Sequence, residues 1–519
     1  MTVVVQSWQH RSATKNEYHG RPLLRYPEAL KLYGIELQYN FFTALDKAMK
    51  YEYLVLAVFY NKRILLFCMI TIKYELLPSD LLSALEKFWQ LSGQKIKNVE
   101  LEYDLSKGSP VFTVKGRYST RGWTEWTQGF QFGSAILQFD ATGEKEFLAS
   151  GRNNTVRSMA PHISHTGVHD HGFNNVSTYG NLLRLMLEGK IEFNEWEKKF
   201  YELALKISGA IQSSRWTSIK NGGFIYSFNG PHSLFVDTIR SCRVLMISHL
   251  LGHALYSEND KKINLLERCL LHCQATAAFS VYYGQGRDAC DVPGRTAHES
   301  LFNTNDGHYR APNSQQGYSG FSTWTRGLAW AMCGFAEQLE CPQTIPAAEL
   351  ETMGGRESIE AMMLKAACAV CDFYIANTPT NGIPYWDTGA PKLYKLGDYL
   401  NRPADPFNNE EPVDSSAAAI GAQGLLRLGH YLLQKGNGES GKKYWQTGLT
   451  ILETLLQEPY LSKDPAHQGL LLHSVYHWPN GWDYVPEGSS IPYGESSMWG
   501  DYHIREAAFY LQKIINKEP

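Results

Sequence analysis

The chain lacks an excess of charge of either sign: 49 Lys and Arg stand against 52 Asp and Glu, a formal net charge of -3 over 519 residues. Neutralising nucleic-acid phosphates needs a basic field, so no nucleic-acid partner is expected. Cysteine is sparse. Nine residues, an odd number without regular spacing, make a poor disulfide framework and are read as reduced thiols, mostly small core residues. An uninterrupted apolar run is also missing. The longest candidate, Tyr53 to Ile72, is broken by Asn61-Lys62-Arg63, whereas a membrane span needs about 20 mostly apolar residues in succession. Met1 to Arg11 has no apolar stretch behind a positive start and does not read as a secretory signal. These absences lead to the expectation of a cytoplasmic protein with no membrane association.

What the chain does have is aromatic surface and helical periodicity. Aromatics make up 13% of it, with 13 Trp and 30 Tyr, which suits stacking on sugar rings and equally suits a large core. From about residue 79 onward, apolar positions recur at three and four, in segments separated by Gly, Pro and Asn. The pattern predicts helices near 79–94, 128–140, 174–188, 194–212, 234–256, 260–283, 322–340, 357–377, 414–434, 438–457 and 499–514. Ser79-Asp80 opens the first with capping side chains. Asp414-Ser415-Ser416 opens the run Ala417 to Leu426, whose small residues let neighbouring helices approach closely.

Eleven helices, or twelve if Glu36 to Lys50 joins them, match six helical hairpins closed into an (α/α)6 barrel of the all-α class. Long Gly-, Pro-, Asn- and Asp-rich loops at 284–320 and 378–412 are the expected pocket walls. Tyr51 to Tyr74 reads as two β-like runs around Asn61-Lys62. Residues 1–75 are therefore taken as an N-terminal appendage with a possible β-hairpin, and 76–519 as the barrel domain. Residues 97–118 read as an excursion of short strands.

Four stretches place hydroxyls, aromatics and carboxylates at element ends: Trp123-Thr-Glu-Trp126-Thr-Gln-Gly-Phe, His169-Asp170-His171-Gly172-Phe173, Trp324-Thr-Arg326-Gly-Leu-Ala-Trp330, and Ile491 to Tyr502 with Glu495-Ser496-Ser497. Each feeds a helical pattern, which points to one pocket at one end of the barrel. Together with Val236-Asp237-Thr238, Gln315-Gln316-Gly317-Tyr318, Pro384-Tyr-Trp-Asp387, Asp414-Ser-Ser-Ala and Trp499-Gly-Asp-Tyr502, they form an ordered set. In order and character the set resembles the unsaturated glucuronyl hydrolases, glycoside hydrolase family 88, over roughly residues 80–516. The related unsaturated rhamnogalacturonyl hydrolases share the fold and the two aspartates.

The resemblance implies an (α/α)6 barrel with Asp170 and Asp237 at the pocket floor, and no cofactor or metal. The implied substrate is an oligosaccharide ending in a 4,5-unsaturated uronic acid. An aspartic acid protonates C4 of the enol ether, water adds at C5, and the hemiketal opens to release the rest of the chain. Asp237 is the first choice for the group that acts as acid and base. Its place at a helix start favours the anion, whereas Asp170 nearby can raise its pKa; for a lone Asp in such a place, helix capping is the alternative.

Carried over in the same way, Trp126, His169, Gln316, Arg326 and Trp330 contact substrate, and Ser496 and Ser497 bind the uronate carboxylate. Arg326 and Trp330 are one helical turn apart and share a face. The alternatives are core filling for the tryptophans, a surface salt bridge for Arg326 and turn or N-cap duty for the serines. His162, His165, His169 and His171 crowd one segment, but without acidic or Cys partners at ligand spacing hydrogen bonding or substrate contact is preferred to zinc. Rival functions are a rhamnogalacturonyl hydrolase, a hydrolase of saturated glucuronides and a non-catalytic sugar-binding barrel. The oligomeric state is left open.

Overall fold

The computed structural model describes residues 70–122 and 125–516. The proposed N-terminal hairpin and the possible helix Glu36 to Lys50 lie outside those residues. Six outer helices alternate with six inner ones. The outer set is α1 (Leu82–Glu102), α3 (Lys145–Ser158), α5 (Glu195–Ser214), α8 (Leu265–Phe279), α10 (Arg356–Ala376) and α12 (Gly438–Leu455). The inner set begins with α2 (Gln128–Thr142) and α4 (His171–Asn175), the latter continuing through a wide turn at Val176–Gly180 into Asn181–Leu187. It goes on with the broken pair α6 (Thr238–Ser241) and α7 (Arg243–Leu250), then α9 (Thr325–Glu340), α11 (Ser415–Gln434) and α13 (Met498–Ile515). Inner helices pack α2 on α4, α4 on α6, α6 on α9, α9 on α11, α11 on α13 and α13 back on α2, which closes the ring. This is the expected (α/α)6 barrel.

Four of the helices start where a side chain satisfies their first amides. Asn194 caps α5, Asn264 caps α8, Asp414 caps α11 and Ser497 caps α13. Inner helices are apolar all round because both faces are covered; every residue of α11 from Ser415 to Leu426 is buried. The small-residue run on α11 does bring backbones together: a Cβ on Gly424 would lie 2.7 Å from Cys333 N of α9.

Among the described residues the twelfth helix is α3, a segment for which the pattern predicts no helix. Its sequence, KEFLASGRNNTVRS, carries no apolar stripe, and only Phe147, Gly151 and Thr155 are buried. Expected helix 234–256 is shorter than its pattern, running from Thr238 to Leu250 between a strand at Ser233–Phe235 and a hairpin of Leu255–Ser257 and Lys261–Ile263. The strands are short. They are β1 (Phe112–Val114), β2 (Arg117–Ser119), β3 (Trp216–Ile219), β4 (Gly222–Ile225), β5 (Ser233–Phe235), β6 (Leu255–Ser257), β7 (Lys261–Ile263), β8 (Glu299–Phe302) and β9 (Tyr309–Asn313). Helix α1 fills the first part of the predicted 97–118 excursion, and β1–β2 form its only hairpin among the described residues. Loop 284–320 is partly ordered as β8 and β9, which pair antiparallel with β5 in the order β5-β8-β9.

Cys368-Ala-Val-Cys371 on α10 is a C-x-x-C spacing, yet both thiols are free, and burial, the leading cause, pushes both pKa values up. Neither has thiolate character. Among the described residues no helix is long and apolar enough to cross a membrane.

Candidate active site

Residues just before or near the start of the inner helices α2, α4, α6 and α9 line a cavity of about 220 Å³. Trp126 precedes α2, His169 and Asp170 precede α4, Asp237 precedes α6, and Trp324, Arg326 and Trp330 come from the start of α9. The alternation of outer and inner helices thus gathers residues far apart in sequence, and three of the four aromatic edges expected at one pocket line it; the fourth, Ile491 to Tyr502, does not. Trp123 and Thr124 lie outside the described residues.

Asp170 and Asp237 sit at the floor, each 8% exposed, with His169 between them. His169 Nε2 is 3.3 Å from Asp237 Oδ1 and 3.7 Å from Asp170 Oδ1. The backbone holds this set firmly. His169 O accepts from Gln212 Nε2 and Ser241 Oγ, both at 2.7 Å, and the Gly172 amide donates to Ser241 Oγ at 3.0 Å. A Cβ on Gly172 would fall 1.9 Å from Ser241 O, so only glycine lets α4 and α6 approach closely enough to bring the two acids together. Neither carboxylate caps its helix, whereas Asp414 and Ser497 do. The capping alternative therefore fails for the two acids.

Their electrostatics differ. Burial raises Asp170, and the charge of Asp237 adds to it against the pull of His169. Burial also pulls Asp237 up, but the His169 hydrogen bond and the charges of His169 and His298 outweigh it and leave this carboxyl below its ordinary value. For His169 burial opposes the charge, but Asp170 and the hydrogen bond to Asp237 prevail and raise its pKa. By these directions Asp170 and His169 hold a proton more readily than Asp237 does.

Arg326 is 1% exposed and fully engaged. It donates to Asp414 Oδ2 at 3.1 Å, Tyr476 O at 2.6 Å, Gln316 Oε1 at 2.8 Å and Val475 O, and its guanidinium lies over the rings of Trp324 and Trp499. It is no surface salt bridge. Because Gln316 gives its oxygen to Arg326, its amide N–H groups are left to face the cavity. Trp330 packs against Phe173 and His503 while also lining the floor, and Trp126 stacks on Trp499 at 5.0 Å.

Ser496 and Ser497 are not brought to the cavity. Both are 1% exposed. Ser497 Oγ accepts the Gly500 amide at the start of α13, and the backbone of Ser496 exchanges hydrogen bonds with Thr113 of β1. Their expected role as carboxylate ligands is replaced by turn and cap duty. The wall is supplied instead by the loop before them, through Tyr476, His477, Asn480 and Trp482. That loop is tied back on itself: Asp483 accepts the Tyr476 amide at 2.5 Å and the His477 amide at 2.8 Å, and burial pushes its carboxyl up to about 6. The composition Tyr476-His-Trp-Pro-Asn-Gly-Trp482-Asp483 carries the same polar-aromatic signal as the motifs singled out, with an Asn-Gly turn at its centre.

His298 was also missed. It lies beside Trp324 and Phe235, its Nδ1 accepts the amides of Gln315 and Gln316, and burial lowers its pKa to about 4. The histidine cluster divides. His162 and His171 are buried in hydrogen bonds to Gln128, Asn174, Ser208 and the His165 carbonyl, and only His169 lines the cavity. Among the described residues no group of three or more His, Cys, Asp or Glu side chains is placed to hold a metal ion.

No family model matches the chain. It is 24% identical over 400 residues to an unsaturated glucuronyl hydrolase of Formosa agariphila, covering 76% of this chain and 81% of that protein. It is 25% identical over 435 residues to an unsaturated chondroitin disaccharide hydrolase of Streptococcus pyogenes, covering 81% and 90%. A crystal structure of an unsaturated glucuronyl hydrolase specific for heparin superimposes with a TM-score of 0.64 at 19% identity, over 84% of this chain and 98% of that one. The resemblance to unsaturated glucuronyl hydrolases first seen in the ordered motifs thus extends over most of the chain, in sequence and in fold.

Proposed function

We propose that this chain is a glycoside hydrolase that releases a terminal 4,5-unsaturated β-glucuronyl residue from lyase-generated oligosaccharides. The observation that carries the reading is the Asp170–His169–Asp237 set at the floor of an aromatic cavity, with both acids free of capping duty. The names of the relatives point the same way.

Hydration of an enol ether needs one proton delivered to C4 and one removed from the water that adds at C5. Two carboxyls of unequal proton affinity, joined through one imidazole, can give and take those protons. Protonation at C4 leaves an oxocarbenium ion at C5, and the neighbouring carboxylate stabilises that positive charge. Water adds to C5, the resulting hemiketal opens at the ring oxygen, and the hemiacetal left at C1 expels the remaining chain as an alcohol. Gln316 presents its amide N–H groups to the substrate with the charge of Arg326 behind it, a neutral donor backed by a cation that can hold the uronate carboxylate. Trp126 and Trp330 are the flat walls.

The test is ultraviolet absorbance of the conjugated double bond on a panel of lyase products, including unsaturated rhamnogalacturonyl disaccharides. Loss of absorbance with glucuronyl substrates supports the reading. Turnover confined to the rhamnogalacturonyl members, or to saturated glucuronides, would replace it.

A further inference from the structure

The cavity has depth, and its side chains sort by exposure. His169, Asp170, Asp237, Arg326 and Trp330 are each at most 8% exposed and form the floor. Trp126, Phe228, Gln315, Asn480 and Trp482 are more exposed and form the mouth, with Gln316, committed to the uronate and held by Arg326, between mouth and floor. The mouth is three aromatics and two primary amides, with no charged group among these five.

Among the described residues the cations around the cavity do not fill that gap; Arg215 is buried and donates to the Tyr226 and Ser227 carbonyls, just before Phe228. Arg326 lies at the floor and is committed to Asp414, Gln316 and two carbonyls. Arg121 lies over the rings of Phe112 and Trp482 and donates to Trp482 O, and Lys115 stands over the ring of Tyr484. His477 is kept neutral, with burial and the Arg326 charge lowering its pKa to about 4, and its Nε2 is engaged with Asn480 Nδ2 at 3.2 Å. Residues 123–125, next to Trp126 in sequence, are Trp, Thr and Glu, and add no cation.

A terminal uronyl residue reaching the acids at the floor leaves the next sugar at the mouth. Aromatic faces and amides bind hydroxyls, ring C–H groups and N-acetyl groups. A sulfate ester there would lose part of its hydration and meet no mouth-lining cation among the described residues, with the carboxylates of the floor below it. Resting on the function proposed above, we infer that the sugar following the unsaturated uronyl residue is uncharged, so that this chain acts on unsulfated oligosaccharides and discriminates against sulfate on the second sugar.

The experiment uses the full chain and two unsaturated chondroitin disaccharides that differ only in a 6-sulfate on the second sugar. The unsulfated one is expected to show kcat/KM higher by about tenfold or more, mostly through KM, since an unpaired anion at the mouth affects binding rather than proton transfer. Equal or reversed values overturn the inference while leaving the proposed reaction standing. No turnover of either, with turnover of other glucuronyl members of the lyase-product panel, overturns the inference alone; no turnover of any glucuronyl member overturns the reaction itself. Asn480→Lys places a cation at the mouth and is expected to narrow the ratio several-fold; a ratio that does not move overturns the placement of the second sugar.

Discussion

Asp170 and Asp237 differ in what holds them, and that difference sets the expected behaviour of the site. Asp237 accepts from His169, while Asp170 lies 3.7 Å from the same nitrogen and is raised by burial and by its partner. Either Asp→Asn variant should lose kcat by about 10²–10⁴-fold with the fold intact, and the double variant should lose little more, because residues acting as a unit are not additive. Near wild-type turnover in a folded single variant would remove that residue from the chemistry. The signs for pH follow from the same shifts. A donor must be protonated, so activity falls as pH rises through the raised titration of Asp170 and His169; a base must be ionised, so activity also falls as pH drops below the depressed titration of Asp237. The bell should therefore be broad, with an acid limb below the ordinary carboxylate range, and its limbs belong to the set rather than to one residue. A profile of kcat/KM against pH checks this, and an acid limb near neutrality would contradict the assignment.

At the scale of elements, the sites of closest helix approach and the caps make separate predictions. Gly172→Ala drives a Cβ into Ser241 O of α6, so it should destabilise by at least about 1–3 kcal/mol and also cost activity, since it parts the two acids. Ser497→Ala removes only the cap of α13 and should cost about 1 kcal/mol with turnover retained. Melting temperature and kcat/KM on the same samples distinguish the two; loss of turnover from Ser497→Ala at an unchanged melting temperature would return the serines to the site. Helices with an apolar stripe or a side-chain cap were legible in the sequence, as α5, α11 and α13 illustrate. Helix α3 was not, because a helix that buries only Phe147, Gly151 and Thr155 has no stripe to read. The acids and Arg326 were legible because their motifs keep order along the chain. Sequence does not sort Ser496 and Ser497, because a hydroxyl-rich turn beside a helix looks alike whether it binds ligand or backbone. The loop from Tyr476 to Trp482 was passed over because its placement depends on Asp483 and Arg326, contacts that sequence spacing does not reveal.

Across the whole barrel, the inner ring is tied by charges buried between α6, α7, α9 and α13. Arg240 Nη2 lies 2.5 Å from Glu506 Oε2 and its Nε lies 3.2 Å from Glu337 Oε2, and Arg243 reaches both carboxylates at 3.3 and 3.5 Å. Removing one member of such a set strands the others. Arg240→Met should destabilise by about 3–5 kcal/mol, more than its lost packing, because two buried carboxylates lose a partner. The pH dependence has a definite sign. Burial pulls Glu506 up, but Arg240 and Arg243 outweigh it and hold its folded pKa well below the ordinary glutamate value. The unfolded chain then binds a proton before the folded one does. The stabilisation from Glu506 is complete above the unfolded glutamate pKa and is lost as pH falls below it toward the folded value. Thermal melts across the acid range should therefore show the wild type losing stability more steeply than Glu506→Gln, which starts lower at neutral pH and converges with it in acid. Parallel curves for the two proteins would mean that the ring does not depend on this ion pair.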